Sequence, residues 1–356
     1  MSTETAPERD TAVAAPGLTT TVAGPGDAAA WDAFVRTRAD ACGYHEWAWR
    51  AVFERAFGHE CVYLVARAGA DVAGVLPLVF IRSPLFGRSL TSLPFLNYGG
   101  VLAASPAAAR ALVEAAGAQA RERRCGHVEL RHVARRFDDL PCRAHKVTMT
   151  LPLAPGLWER LDRKVRNQIR KAEKSGLTAA SGGAELLDEF YPVFARNMRD
   201  LGTPVYAPTL FAEVLRAFPD RARLTIVRLK GQAIAGGLTF RTGGTVEVPW
   251  ASSIRDYNAL CPNHLLYWHI LESAVALGAT TMDFGRSTPG EGTFKFKQQW
   301  GASPVELHWE YVLNGGSEPP DQSPKNPKFR LAIAAWKRLP LWAANAVGPH
   351  LVRGIP

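Results

Sequence analysis

YLVARAGADVAGVLPL (Tyr63–Leu78) aligns without gaps with TIVRLKGQAIAGGLTF (Thr225–Phe240). Val65 falls on Val227, Gly69 on Gly231, Ala73-Gly74 on Ala235-Gly236 and Leu76 on Leu238. Each copy predicts a strand, a glycine turn and a second strand: apolar residues fill the strand positions, and glycine adopts the backbone angles a tight turn needs. Each is followed by a stretch with apolar residues at helical spacing, SPAAARALVEAAGAQARERR and PNHLLYWHILESAVALG, and then by a strand, HVELRHV and TTMDFGRS. Both closing strands place an acid shortly before an arginine: Glu129 before Arg131, and Asp283 before Arg286. The same order of elements twice over predicts a tandem duplication of an α/β unit.

Between the copies lies LDRKVRNQIRKAEKSG (Leu161–Gly176). A helix is expected from about Trp158 to Ser175, with Leu161, Val165, Ile169 and Ala172 on one apolar stripe. Arg163, Arg166, Arg170 and Lys174 fall on the opposite side, and Lys164, Asn167 and Lys171 widen that arc. Gly176 is the expected stop. The reading is a packed wall with a basic outer face, lining a cleft for an anionic substrate. The chain divides on this basis into a tail (1–28), a first unit (29–157), a second unit (158–318) that includes the basic helix 158–175, and a basic amphipathic C-terminal segment (319–356). From Pro324 onward that segment holds six Lys or Arg and no acid, mixed with Phe329, Leu331, Ile333, Trp336, Leu341 and Trp342. Two readings stand: a helix packed on the second unit, or a peripheral contact with a membrane surface.

The 356 residues suffice for two domains, and the formal net charge of +9 favours anionic partners. The five cysteines (Cys42, Cys61, Cys125, Cys142, Cys261) form no CxxC pair, so reduced thiols in a cytoplasmic protein without a zinc site are expected. The N-terminus, MSTETAPERDTAVAAPGLTT, has no apolar core of a signal peptide and is expected to stay disordered to about Ala28. No apolar run is long enough to span a bilayer.

The chemistry points to DFGRSTPGEGTFKFKQQWG (Asp283–Gly301). A strand ends, a loop with Gly290 and Gly292 follows, and a short helix is expected from about Thr293. Converging N–H groups, a helix start, Arg286 and one lysine would suit an anion. Lys295 and Lys297 project about 200° apart on a helix, so only one can face the loop. Asn97 and Tyr98 precede a double glycine in LPFLNYGG, and Tyr206 sits in the rigid GTPVYAP. VEVPWASSIRDYNALCPNHLLYW adds Glu247, Trp250, Tyr257, Asn258, Asn263 and His264, with Asn263 read as a helix cap and His264 as a packed ring. Neither GxSxG, HExxH, Walker A nor GxGxxG after a strand occurs. That absence argues for direct transfer between two bound substrates.

The paired hairpins, RKVRNQIRKAEKSGL, DFGRSTPGEGTFKFKQQWG and the C-terminal NPKFRLAIAAWKRLPLW together resemble the FemAB-like branch of the GNAT acyltransferase superfamily, and within it the proteins associated with PEP-CTERM/exosortase and exopolysaccharide systems. The resemblance runs from about Trp31 to Pro356. It implies tandem GNAT-like domains, each a mixed sheet flanked by helices. It also implies an acyl or aminoacyl group moved from acyl-CoA or aminoacyl-tRNA to an amine of a cell-envelope or exopolysaccharide precursor, with no tightly bound cofactor. By motif, Lys297 matches the lysine of the family's FK motif, Lys164, Arg166 and Arg170 the basic central helix, and Tyr206 the GTPxY segment. Asp283, Glu247 or the substrate itself is a candidate acceptor for the amine proton, and Lys297 is a candidate to stabilise the transferring carbonyl or anchor the donor's phosphates; Trp250, Tyr257, Arg286, Gly290, Gly292, Asn97 and Tyr98 are candidate substrate contacts. The helical-hairpin insertion of some Fem enzymes and the Q/RxxGxG/A loop of ordinary GNATs are both missing, so the donor and acceptor stay open. So do two other readings: a basic nucleic-acid-binding protein and a membrane-surface scaffold.

Overall fold

The computed structural model describes residues 17–316, 318–320 and 327–355. In the first half, β1 (Leu18–Val22), α1 (Ala28–Thr37) and α2 (Trp49–Phe57) precede the hairpin β2 (Glu60–Ala68) and β3 (Asp71–Ser83). β4 (Gly87–Thr91), β5 (Leu102–Ala103), α3 (Pro106–Glu122), β6 (His127–His132) and β7 (Cys142–Pro152) follow. In the second half, α4 (Leu157–Arg160), α5 (Arg163–Lys174), β8 (Leu177–Gly182), α6 (Leu187–Leu201) and α7 (Pro208–Ala217) lead into the hairpin β9 (Ala222–Leu229) and β10 (Gln232–Thr242). Then come β11 (Thr245–Ser253), α8 (Pro262–Ala276), β12 (Thr281–Ser287), α9 (Gly292–Gln298) and β13 (Ser303–Leu313), with α10 (Pro327–Trp336) and α11 (Leu341–Val352) at the end.

The expected mixed α/β architecture is present, and the two sheets are fused. The strand order is β1-β2-β3-β4-β6-β13-β7-β12-β11-β10-β9-β8, with β5 on β3. The closing strands cross over: β7 of the first half pairs with β12 of the second, while β13 pairs with β6. β7 and β13 pair with each other at the seam. Each half thus closes the other's open edge, satisfying backbone groups that would otherwise face water.

The hairpins repeat as expected, but the gap-free alignment is out of register by one residue. The first turn holds Gly69 between the paired Ala68 and Asp71; the second holds Lys230 and Gly231 between Leu229 and Gln232. Gly69 therefore takes the first turn position and Gly231 the second. Shifting by one residue superposes the bulges at Ala73 and Ile234. It also places Val65 on Ile226, both in the shared core, in place of Val227, which faces the other way. A slip of one residue exchanges the faces of a strand.

One apolar cluster, under α1, α2, α6 and α7, joins the halves on one face of the sheet. The opposite face is covered by α3 in the first half and by α5 and α8 in the second. Two further expectations change. The helix 158–175 is broken: Leu161 is extended (ψ 143°), and the Asp162 side chain caps α5 by accepting from the Lys164 N–H at 2.6 Å. The tail is shorter, because Leu18–Val22, rich in β-branched residues, pairs antiparallel with β2. Residues 1–16 of that tail lie outside the described residues.

Candidate active site

Each half contains one parallel strand pair that diverges. β4 and β6 pair over Ser89–Thr91 and His127–Glu129; β11 and β12 pair over Thr245–Glu247 and Thr281–Asp283. Glu129 and Asp283 occupy equivalent places, the last paired position before the strands part. Their surroundings differ. Glu129 is neutralised: Arg131 donates to it at 2.7 Å, both side chains are 1% exposed, and the Tyr311 hydroxyl donates at 3.1 Å. Among the described residues Asp283 has no such ion pair. Its Oδ1 accepts from the Thr148 hydroxyl and, at 2.7 Å, from the Gly285 N–H.

The remaining oxygen of Asp283 faces the first half. The segment Leu93–Gly100 reaches across the seam, with Leu93 and Phe95 held at φ 47° and 71°, a conformation costly for side-chain-bearing residues. Arg131 pins it by donating to the Leu96 carbonyl at 3.0 Å, and Phe95 stacks 4.5 Å from Phe57. Asn97 Nδ2 then donates to Glu247 Oε1 at 2.5 Å, and the Tyr98 hydroxyl lies 2.9 Å from Asp283 Oδ2 and 3.1 Å from Glu247 Oε2. One phenolic proton cannot serve two carboxylates. Asp283 already accepts twice through Oδ1, so the structure is satisfied when Tyr98 donates to an ionised Asp283 and a protonated Glu247 donates to the phenol oxygen. Burial beside the Asp283 charge pushes Glu247 up to about 8. Asp283 is raised in the same direction, again chiefly by burial.

Lys297 closes the other side. α9 turns it inward while Lys295 stays exposed. Its ammonium donates to the carbonyls of Gly285 and Arg286 at 2.8 and 3.0 Å, and burial brings it down to about 8. Gly285 is required here: at φ 75°, an added Cβ would stand 2.9 Å from the Val248 carbonyl on the diverging strand. The expected joint anion loop is not assembled. Gly290 and Gly292 are exposed with no neighbour near, because Lys297 turns to the strand carbonyls instead of toward that loop.

Arg286 is half-buried over the Trp309 ring at 5.4 Å; Arg131 lies 4.4 Å from the same centroid. Burial lowers Arg286 to about 10, and Arg131 adds to the effect. Tyr206 belongs to this neighbourhood, packed against Phe57, Phe95 and Phe194. The other candidates lie elsewhere. Trp250 is core, edge-on to Phe211 at 5.5 Å. Tyr257 packs under the second-half cluster, its hydroxyl 3.5 Å from Gln232. Lys164, Arg166 and Arg170 sit on α5, which packs on α8 over the sheet face opposite to Asp283. They therefore do not line the carboxylate cleft. Burial lowers the His264 imidazole to about 4 and the Lys164 charge adds to the effect, while Arg170 covers Trp158 at 5.3 Å.

A cleft of about 590 Å³ opens onto Tyr98 and Asp283. Its floor holds Thr148, Thr150, Thr245 and Thr281, which the sequence reading passed over. The alternation Val147-Thr148-Met149-Thr150-Leu151 was the available signal: the apolar members enter the second-half core and the threonines face the cleft. Cys42 and His45 also line it, with Sγ 3.3 Å from Nδ1. Burial drives this thiol up to about 12 and the imidazole down to about 4. The pair is neutral and holds structure: His45 accepts from the Cys42 N–H and donates to the Gly100 carbonyl.

Residues 160–298 match the family model of the acetyltransferase (GNAT) domain. No curated protein matches the chain in sequence. Among solved structures, FemX is 16% identical with a TM-score of 0.63, the match covering 88% of this chain and 100% of FemX. A tandem GNAT protein from the clavulanic acid biosynthesis pathway is 14% identical with a TM-score of 0.54, over 85% of this chain and 100% of that one. The C-terminal domain of a putative lysylphosphatidylglycerol synthetase from Agrobacterium fabrum is 14% identical with a TM-score of 0.54, over 82% and 92%. The chain has the FemAB-like tandem GNAT fold, and its second half carries a GNAT-type acyltransferase domain.

Proposed function

We propose that this chain transfers an acyl or aminoacyl group from acyl-CoA or aminoacyl-tRNA to an amine of a cell-envelope or exopolysaccharide precursor, an anionic or lipid-linked saccharide or peptide. The observation that carries the reading is the asymmetry of the two equivalent acids. Glu129 is locked to Arg131, whereas Asp283 keeps an oxygen for Tyr98 and the cleft. A duplicated fold with one neutralised acid and one available acid has a single working centre.

The acceptor enters the threonine-floored cleft as a neutral amine. Its nitrogen attacks the donor carbonyl; the N–C bond forms and the bond to sulfur or oxygen breaks. The proton lost by nitrogen passes to Asp283, whose charge Tyr98, Thr148 and the Gly285 N–H hold in place until then, and Asp283 returns that proton through water to the departing thiolate or alkoxide. Lys297, anchored at Gly285 and Arg286, and the Arg286 guanidinium place positive charge beside the developing oxyanion. On the opposite face α5 presents six cations, none of them in an ion pair among the described residues. That face suits the phosphates of either donor.

The test is a transfer assay with labelled acetyl-CoA and with aminoacyl-tRNA against amine-bearing saccharide and peptide acceptors. Product should form with one donor and be lost in Asp283→Asn. No product with either donor, or full activity of a folded Asp283→Asn variant, would refute the reading.

A further inference from the structure

α10 and α11 are seated across both halves. Arg199 donates to the Leu339 carbonyl at 2.8 Å, and a Cβ on Gly202 would stand 2.6 Å from Ile333. Gly348 lies against Val205 and Gly354 against Ser83, leaving no room for larger residues. The inward face of α11 is Ala344, Gly348 and Val352. Its outward face is Trp342, Ala346, Val347, His350 and Leu351, without a single Lys, Arg, Asp or Glu. Trp342 is 76% exposed, and Leu331 on α10 is 84% exposed. Leu201, beside Gly202, and Leu85, two residues from Ser83, are exposed on adjoining ground. Six of the nine large apolar side chains exposed among the described residues therefore border this one hairpin. Such a concentration marks an interaction surface.

The charges on the hairpin itself have one sign. Arg330, Lys337, Arg338 and Arg353 are exposed, and no acid occurs from Pro324 to the end of the chain. Among the described residues no helix is long and apolar enough to cross a membrane. We propose that the α10–α11 hairpin docks flat on an anionic lipid surface, Trp342 and Leu331 entering the headgroup boundary and the cations meeting lipid phosphates. A two-fold contact with a second copy would set these cations against themselves, whereas an anionic bilayer complements them. The surface holds the enzyme where a lipid-linked acceptor is found.

Flotation of the full chain with phosphatidylcholine vesicles, with and without phosphatidylglycerol, tests this directly. Binding should require phosphatidylglycerol and weaken with salt. Removing two cations in Arg330→Ala/Arg338→Ala should weaken it roughly 30-fold. Trp342→Ser should weaken it about tenfold. Both variants alter exposed side chains, and their circular dichroism should match the parent. No flotation with phosphatidylglycerol vesicles, or unchanged flotation of both variants, overturns the proposal. So does a dimer in vesicle-free solution that Trp342→Ser dissociates, which would give the face to a second copy. Transfer to a soluble acceptor should be unaffected, so failure here leaves the acyltransfer reading standing.

Discussion

The Tyr98 hydroxyl, carried by the first half, lies 2.9 Å from Asp283 Oδ2 in the second, across 185 residues of chain. The contact makes the candidate centre a joint product of both halves. It also means that neither half alone holds both members of the contact.

Tyr98→Phe removes the only hydroxyl that bridges the two carboxyls. We predict a fall in kcat of roughly 100-fold or more, within the range for loss of a positioned proton-transfer group. KM for the acceptor should change less, because the cleft walls remain. Steady-state kinetics on the purified variant would show this, and a change confined to KM would reassign Tyr98 to substrate contact.

Glu247 gives stability a definite pH dependence. Its carboxyl rises from the ordinary 4.5 to about 8 on folding, so between those values the native chain keeps a proton that the unfolded chain has released. This group's contribution is intact below pH 4.5 and is lost as pH rises through about 8. Urea denaturation of Glu247→Gln from pH 5 to 8 should show a flatter profile than wild type. Equal slopes would mean that Glu247 is ionised in the native chain.

The Glu129–Arg131 bridge stands at the place in the first half that Asp283 holds in the second. Arg131→Leu leaves Glu129 buried and unpaired and unties the Leu96 carbonyl. The expected loss is roughly 3–5 kcal/mol, by analogy with other broken buried pairs. Glu129→Gln/Arg131→Leu should recover part of it, as a double-mutant cycle in denaturant would reveal.

Gly285→Ala meets two obstacles at once, the φ of 75° and a Val248 carbonyl 2.9 Å from the new methyl group. A loss of about 1–3 kcal/mol is expected from the backbone conformation alone. Activity should fall further than stability, because the same residue supplies an N–H to Asp283. Thermal melts alongside turnover at a temperature where the variant is folded would separate the two effects.

Lys297→Met keeps the side-chain volume but removes the donor to two strand carbonyls. Leaving such buried acceptors unmet costs about 1–3 kcal/mol. Transfer should fall while the fold persists. A folded Lys297→Met enzyme with wild-type kcat would restrict Lys297 to packing.

Much of the architecture was legible because it is written in neighbours a few residues apart. The hairpins at Tyr63–Leu78 and Thr225–Phe240 and the apolar stripe Leu161-Val165-Ile169-Ala172 follow from strand or helix period, whereas that period separates Lys295 from Lys297 without saying which of them is buried. The matched acids before Arg131 and Arg286 pointed to equivalent strands, and these occupy equivalent places. The break at Leu161–Asp162 was missed because a capping aspartate inside a periodic run leaves the period intact.

What the sequence by itself determined is therefore the kind and order of elements, including their duplication, since each depends on local spacing of apolar residues and turn formers. Only the tertiary structure decided the register of the second hairpin, the crossing of β7 and β13, and the meeting of Asn97 and Tyr98 with Glu247 and Asp283. A one-residue register or a strand exchange changes no local pattern. Each is chosen by which faces bury together and which backbone edges find partners, and those are properties of the assembled sheet.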